Sequence, residues 1–187
     1  MIIVLLGASG SGKTTIENKL SENFGYKKIV SYTTRKPRKN EIGGKDYMFV
    51  DNTMFINMIR NGLFAEYDEY SQSRMYGTHK YDYTGDDDKV VVLTPNGLRQ
   101  LKKNCPDLKI FSILVDASLG TRIKRYIDRC GVEKFDFYDK NEIAARVERD
   151  YAMFIGLEKE VDMVIYNSEG ADVDELVDEV IVNVTGF

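Results

Sequence analysis

Gly7-Ala8-Ser9-Gly10-Ser11-Gly12-Lys13-Thr14 has the spacing G-x-x-x-x-G-K-[ST], and that spacing can hold phosphate. Glycines let a chain turn with successive backbone N–H groups facing inward, and a helix that opens at the end of the turn adds the positive end of its dipole. Lys13 supplies a mobile ammonium for the β- and γ-phosphates of a nucleoside triphosphate. The Thr14 hydroxyl is of the kind that ligates Mg2+ beside those phosphates. Such a loop must follow a buried strand and open a helix. Ile2-Ile3-Val4-Leu5-Leu6 is an unbroken aliphatic run suited to burial on both faces, and the residues from Lys13 to Glu22 carry helical periodicity. Residues 7–15, Thr15 included, are therefore the expected triphosphate cradle, with Lys13 as a catalytic charge and Thr14 as the metal ligand.

A second concentration of positive charge lies in Ser31-Tyr32-Thr33-Thr34-Arg35-Lys36-Pro37-Arg38. The chain as a whole is acidic, with a formal net charge of -4. Two guanidinium forks three residues apart can clamp one anion from different sides. Read alone, the segment is equally a solvated basic loop. The lone His79 sits beside Tyr76-Gly77-Thr78 and reads as a polar turn residue. Cys105 and Cys130 lack C-x-x-C spacing and read as free thiols, so neither a zinc site nor a disulfide framework is expected.

The elements that must position these groups alternate. Aliphatic runs at Lys89 to Leu93, Lys109 to Val115 and Asp162 to Tyr166 join the first as strands. Between them, Pro95 to Lys103, Ser118 to Asp128, Lys140 to Glu158 and Val173 to Val184 have helical periodicity. Strand and helix in alternation predict an α/β fold with a doubly wound parallel sheet. Ser31 to Tyr83 breaks the alternation. It offers β-like residues only around Asp46 to Val50 and one helical piece, Asn52 to Asn61, and reads as an inserted α+β subdomain. Cys130 to Asp139 is irregular and stands where a lid would be.

The order S-x-T-T-R-x-P-R, then Glu41, then Gly44-Lys45-Asp46-Tyr47-x-Phe49-Val50, resembles the acceptor-binding segment of guanylate kinases. Phe64-Ala65-Glu66, Tyr76-Gly77-Thr78, Arg125 and Arg129 before Cys130-Gly131, Arg146, and Val164-Ile165-Tyr166-Asn167 extend the likeness over nearly the whole chain. The resemblance implies a P-loop NTPase-type fold in one domain, with a core at 1–30, 84–125 and 147–187, an NMP-binding subdomain at 31–83 and a lid at 126–146. It implies transfer of the γ-phosphoryl group of ATP to GMP or dGMP with Mg2+. Arg35, Arg38, Tyr47 and Tyr76 would hold the GMP phosphate, Glu41 would orient the arginines, and Ser31, Glu66 and Thr78 would read the guanine. Arg125, Arg129 and Arg146 would act as lid and transition-state arginines, and Asn167 would contact the bound ATP. Arg122 and Arg149 read as surface residues.

The chain departs from that pattern in two places. Val92 and Thr94 stand where the family carries the aspartates of D-x-D-x-Q-G, and the segment from Glu66 to Tyr76 is one residue longer. A guanylate-kinase-like binding module and a kinase with a different acceptor therefore remain alternatives to a GMP kinase. The acidic balance argues against nucleic acid or anionic lipid as a partner. The expected state is a cytoplasmic monomer or homodimer that binds small nucleotides, since no apolar run approaches the length of a membrane span.

Overall fold

The structure, a computed structural model, describes residues 1–38, 40–71, 74–130 and 137–187, with the side chains at 71, 130, 137–140, 142 and 146 left aside. The strands are β1 (Ile2–Leu6), β2 (Lys27–Lys28), β3 (Tyr32–Thr33), β4 (Met48–Phe49), β5 (Phe64–Ser71), β6 (Arg74–His79), β7 (Lys89–Val92), β8 (Ile110–Asp116) and β9 (Met163–Tyr166). The helices are α1 (Lys13–Phe24), α2 (Asn52–Arg60), α3 (Pro95–Asn104), α4 (Leu119–Cys130), α5 (Phe137–Phe154) and α6 (Val173–Thr185). Every strand and helix read from periodicity is present. The fold is α/β with a parallel central sheet.

The chain forms two compact units, and β1 runs through both. Met1–Val4 and Gly25–Ile110 make the first; Leu5–Phe24 and Phe111–Phe187 make the second. In the second unit the end of β1, β8 and β9 are sheet neighbours, and Leu5, Leu6, Ile113, Val115 and Ile165 are buried. Burial on both faces explains the continuous aliphatic runs. Helices α1 and α6 pack together, α1 burying Ile16 and Leu20 and α6 burying Val177, Val180 and Val184, a helical stripe.

In the first unit β2 and β7 pair in parallel, and β7 neighbours the start of β1. A second sheet, β4-β3-β6-β5, occupies the segment that broke the alternation. Its longest pairing, the antiparallel β5–β6 hairpin, has no counterpart in the periodicity reading. The register sets Glu66 opposite Thr78 and Asp68 opposite Tyr76, with an irregularity between Glu69 and Ser71. A second irregularity lies between Phe64 and Glu66. Phe55, Met58 and Phe64 form the core beneath this sheet, with Tyr32, Val50, Ile59 and Met75 packed around them.

Helix α3 seals the free edge of β5. Gln100 Nε2 donates to the Tyr67 carbonyl at 2.8 Å, the Tyr67 N–H donates to Gln100 Oε1 at 3.3 Å, and Asn104 Nδ2 donates to the Ala65 carbonyl at 2.8 Å. Side-chain amides thus satisfy the backbone groups that an edge strand would leave open. Thr94 caps α3 by accepting the Gly97 N–H at 3.0 Å, with Pro95 in the first turn. Among the described residues no helix is long and apolar enough to cross a membrane.

Candidate functional site

The phosphate loop leaves the buried end of β1 and enters α1 as its sequence required. Two of its glycines are forced. Gly7 has φ +146° and a Cβ there would lie 2.2 Å from the Val115 carbonyl oxygen; Gly12 has φ +98° and a Cβ would lie 2.1 Å from Asn167 Nδ2. No L side chain fits either place. Lys13 turns back over the loop and donates to the Gly7 carbonyl at 2.6 Å and the Ala8 carbonyl at 3.0 Å. Burial lowers its pKa to about 8, with Asp150 pulling it up and Arg122 and Arg129 pushing it down. Ser11 Oγ is buried with no hydrogen-bond partner among the described residues. An orphaned hydroxyl beside a turn of backbone N–H groups suits phosphate oxygens.

Residues from β9, α4 and α5 brace the loop. Asn167, 2% exposed, donates from Nδ2 to the Ser11 carbonyl at 2.9 Å. Arg125 donates from Nη1 to the Gly10 carbonyl at 3.1 Å and from Nη2 to Asn167 Oδ1 at 3.2 Å. The Ser9 N–H donates to Asp150 Oδ2 at 3.0 Å, and the same oxygen accepts from Arg122 Nη1 at 3.0 Å. Arg122, expected on the surface, is instead the partner of a buried carboxylate. Asp150 was missed because nothing in a helix pattern distinguishes a carboxylate that turns inward. Arg129 is exposed, with its guanidinium 5.6 Å from the Tyr126 ring centroid. Thr14 and Thr15 are exposed in the first turn of α1. Arg146 lies on α5, but its side chain and the expected lid residues 131–136 lie outside the described residues.

The basic segment resolves into a built cluster. Arg35 donates from Nη1 to Glu41 Oε2 at 2.8 Å and from Nη2 to Oε1 at 2.9 Å; the Arg38 N–H donates to Oε2 at 2.8 Å and Arg38 Nη1 to Oε1 at 3.2 Å. Burial opposes the Glu41 charge, but these bonds and both guanidinium charges hold its carboxyl below the usual range. The Arg35 guanidinium carbon sits 5.2 Å from the Tyr47 ring centroid and 5.8 Å from that of Phe49. Tyr47 meets Tyr76 edge-on at 5.9 Å, and Tyr70 meets Tyr76 at 6.3 Å. Arg35 Nε is buried without a partner among the described residues.

Glu66 is 3% exposed and accepts from the Thr78 hydroxyl at 2.8 Å; that hydroxyl in turn accepts from Tyr83 Oη at 2.8 Å. Burial raises the Glu66 pKa to about 7, assisted by the negative charge of Asp68 and opposed by the Thr78 bonds. Among the described residues no cation acts on it. Such a carboxylate is short of donors. Ser31 is half-buried just before β3, where its carbonyl accepts from the Met48 N–H at 2.9 Å. His79 accepts the Tyr81 N–H through Nδ1 at 3.0 Å, the turn role expected of it.

Residues 1–183 match the family model for guanylate kinase. The chain belongs to the guanylate kinase family. It is 34% identical to the guanylate kinase of Lactobacillus acidophilus over 165 residues, covering 82% of this chain and 79% of that one. It is 36% identical to that of Syntrophus aciditrophicus over 180 residues, covering 89% and 86%. The guanylate kinase crystal structure from Anaplasma phagocytophilum has the same fold, with a TM-score of 0.74 at 24% identity over 100% of this chain and 85% of that one. As a guanylate kinase family member the chain is a nucleoside monophosphate kinase. In this member Val92 ends β7 half-buried, and Thr94 caps α3 while donating to Asp68 Oδ2 at 2.6 Å.

Proposed function

We propose that the chain transfers the γ-phosphoryl group of ATP to GMP or dGMP, giving ADP and the guanine nucleoside diphosphate. The observation that carries the acceptor is Glu66: a buried carboxylate with a hydroxyl partner and, among the described residues, no cation. Guanine presents N1–H and the 2-amino group as adjacent donors, and one carboxylate can accept from both. Adenine lacks that pair, so it would leave Glu66 buried and unpaired, a penalty that rejects analogues by orders of magnitude.

The GMP phosphate is held by Arg35, Arg38, Tyr47 and Tyr76. The orphaned Arg35 Nε supports this, as does the Glu41 carboxylate that locks both guanidinium groups in place. Ser31 and Thr78 complete the reading of the base. Loop N–H groups between Ala8 and Thr15, other than those of Ser9, Ser11 and Thr15 that bond within the chain, and the Lys13 ammonium hold the ATP phosphates. The Thr14 hydroxyl would supply one oxygen ligand to a Mg2+ accompanying the nucleotide, whose charge would offset that of the phosphates. Among the described residues no group of three His, Cys, Asp or Glu side chains forms a metal site of its own.

An oxygen of the GMP phosphate attacks the γ-phosphorus as the bond to the β–γ bridging oxygen breaks, and ADP carries that electron pair away. The attacking oxygen is already ionised near neutral pH, so no general base is required. Lys13, Arg125, Arg129 and Arg146 place positive charge where the transition state gathers negative charge. A binding-module reading is not favoured, because the loop keeps both forced glycines, Lys13 and its braces.

A coupled assay of ADP release with a panel of NMP and dNMP acceptors tests the proposal. Turnover confined to guanine nucleotides, and lost in Lys13→Ala and Arg38→Ala, is the expected result. No turnover with any acceptor, alongside retained GMP binding, would overturn it.

A further inference from the structure

Asp68 carries no motif, yet it stands inside the acceptor face. It follows Glu66 by two positions on β5, so the strand period puts both side chains on one face. Thr78 stands opposite Glu66 and Tyr76 opposite Asp68. Three of these four residues belong to the acceptor reading above, and the fourth is Asp68.

Its carboxylate is fixed from α3. Thr94 Oγ1 donates to Oδ2 at 2.6 Å and Asn96 Nδ2 donates to Oδ1 at 3.0 Å, while the Glu69 N–H also donates to Oδ1 at 3.0 Å. Oδ1 is then supplied with two donors, and Oδ2 keeps room for another. The Thr94 hydroxyl also approaches Gly97. A Cβ on Gly97 would lie 2.5 Å from Glu66 Oε2 and 3.3 Å from Thr94 Oγ1. The Glu66 carboxylate and the hydroxyl that holds Asp68 therefore converge on one glycine in the first turn of α3. The two carboxylates also interact electrostatically, since Asp68 pushes the Glu66 pKa upward. A carboxylate thereby stands beside position 94, although position 94 carries none.

Two carboxylates on one strand face repel each other, and a ligand presenting several N–H donors relieves that repulsion. The 2-amino group of a guanine has two hydrogens. Glu66 can take one of them together with N1–H, which leaves the second.

We propose that Asp68 is a specificity-determining residue of the acceptor site, accepting the second hydrogen of the purine 2-amino group. This rests on the reading that the acceptor is a guanine nucleotide. Asp68→Asn keeps the shape, removes the charge and turns one acceptor atom into a donor.

The test compares GMP with inosine monophosphate, which keeps N1–H and lacks only the 2-amino group. kcat/KM for GMP should fall about tenfold or more in Asp68→Asn, mainly through KM, while inosine monophosphate changes by less than about twofold. Parallel losses for both acceptors would mean that Asp68 merely ties β5 to α3, and would overturn the inference. Calorimetric titration of both nucleotides into both proteins reads the same ratio without catalysis. A wild-type protein that does not turn over would therefore sink the kinase reading and still leave Asp68 decided. If Asp68→Asn does not fold, Asn96→Ala loosens the same carboxylate from an exposed position; a preference for GMP lowered about threefold is expected, and an unchanged preference would overturn the inference.

Discussion

Asn167 and Ser11 are joined by a 2.9 Å hydrogen bond from Nδ2 to the loop carbonyl, a link between the end of β9 and the phosphate loop. Arg125 accompanies it, bonding both Asn167 Oδ1 and the Gly10 carbonyl. The loop therefore keeps its shape through contacts that come from distant sequence, and the nucleotide finds donors already arranged.

Asn167→Ala should leave the Ser11 carbonyl unsatisfied and free Arg125 to turn away. The expected loss is about 1–3 kcal/mol in stability, with KM for ATP raised about tenfold and KM for GMP little changed. Thermal unfolding and initial rates at saturating GMP check this. Equal effects on both substrates would show that Asn167 supports the whole fold rather than the loop.

Two ion pairs made by α4 separate buried from exposed charge. Arg122 pairs with Asp150, their side chains 15% and 3% exposed, whereas Lys124 pairs with Glu169 at 62% and 70%. Arg122→Ala removes the cation bonded to a buried carboxylate and should cost about 3 kcal/mol. Lys124→Ala should leave stability close to that of wild type, since an exposed pair is screened by solvent. Urea denaturation of the two variants measures the contrast, and similar midpoints would refute it.

Arg35 and Arg38 share Glu41 but not its environment, the Arg35 side chain being 9% exposed and that of Arg38 47%. Arg35 presents a two-point fork to the carboxylate and packs over Tyr47, a geometry that lysine cannot copy. Arg35→Lys should reduce kcat/KM for GMP about a hundredfold, and Arg38→Lys about tenfold. Steady-state kinetics of the pair would reveal the reverse order if Arg38 were the principal clamp.

Glu66 makes the protein pH-sensitive in a defined direction. Its carboxyl keeps its proton in the folded chain up to about 7, against an ordinary value of 4.5. The folded state therefore binds more protons than the unfolded state in that interval. The benefit is complete below about 4.5, and stability falls as pH rises through 7 and then levels off. Glu66→Gln should abolish this slope, gaining on wild type by about 3 kcal/mol between pH 5 and pH 8. Since guanine needs the ionised form, kcat/KM for GMP should rise through a pKa near 7 in the free enzyme. Denaturation series and pH–rate profiles of both proteins provide the check.

The phosphate loop, α1 and all four aliphatic strands were legible because each follows from a local pattern: an aliphatic run, a glycine spacing, a helical stripe. The β5–β6 hairpin was not, because its buried positions include Glu66 and Thr78, which no apolar alternation reveals. Arg122 looked like a surface residue for a related reason: Asp150, the carboxylate that pulls it inward, is on another helix. The acceptor residues were legible only jointly, through family order, and Asp68 escaped even that, since its place depends on Thr94 and Asn96 meeting β5 across the chain fold.

Gly97 has an outcome for anyone who would strengthen this enzyme. Replacing a helical glycine with alanine ordinarily gains up to about 1 kcal/mol. At this position the added methyl would press against the Glu66 carboxylate. A screen for heat resistance would therefore pass the substitution by, because a methyl 2.5 Å from a buried carboxylate oxygen costs more than the helix gains.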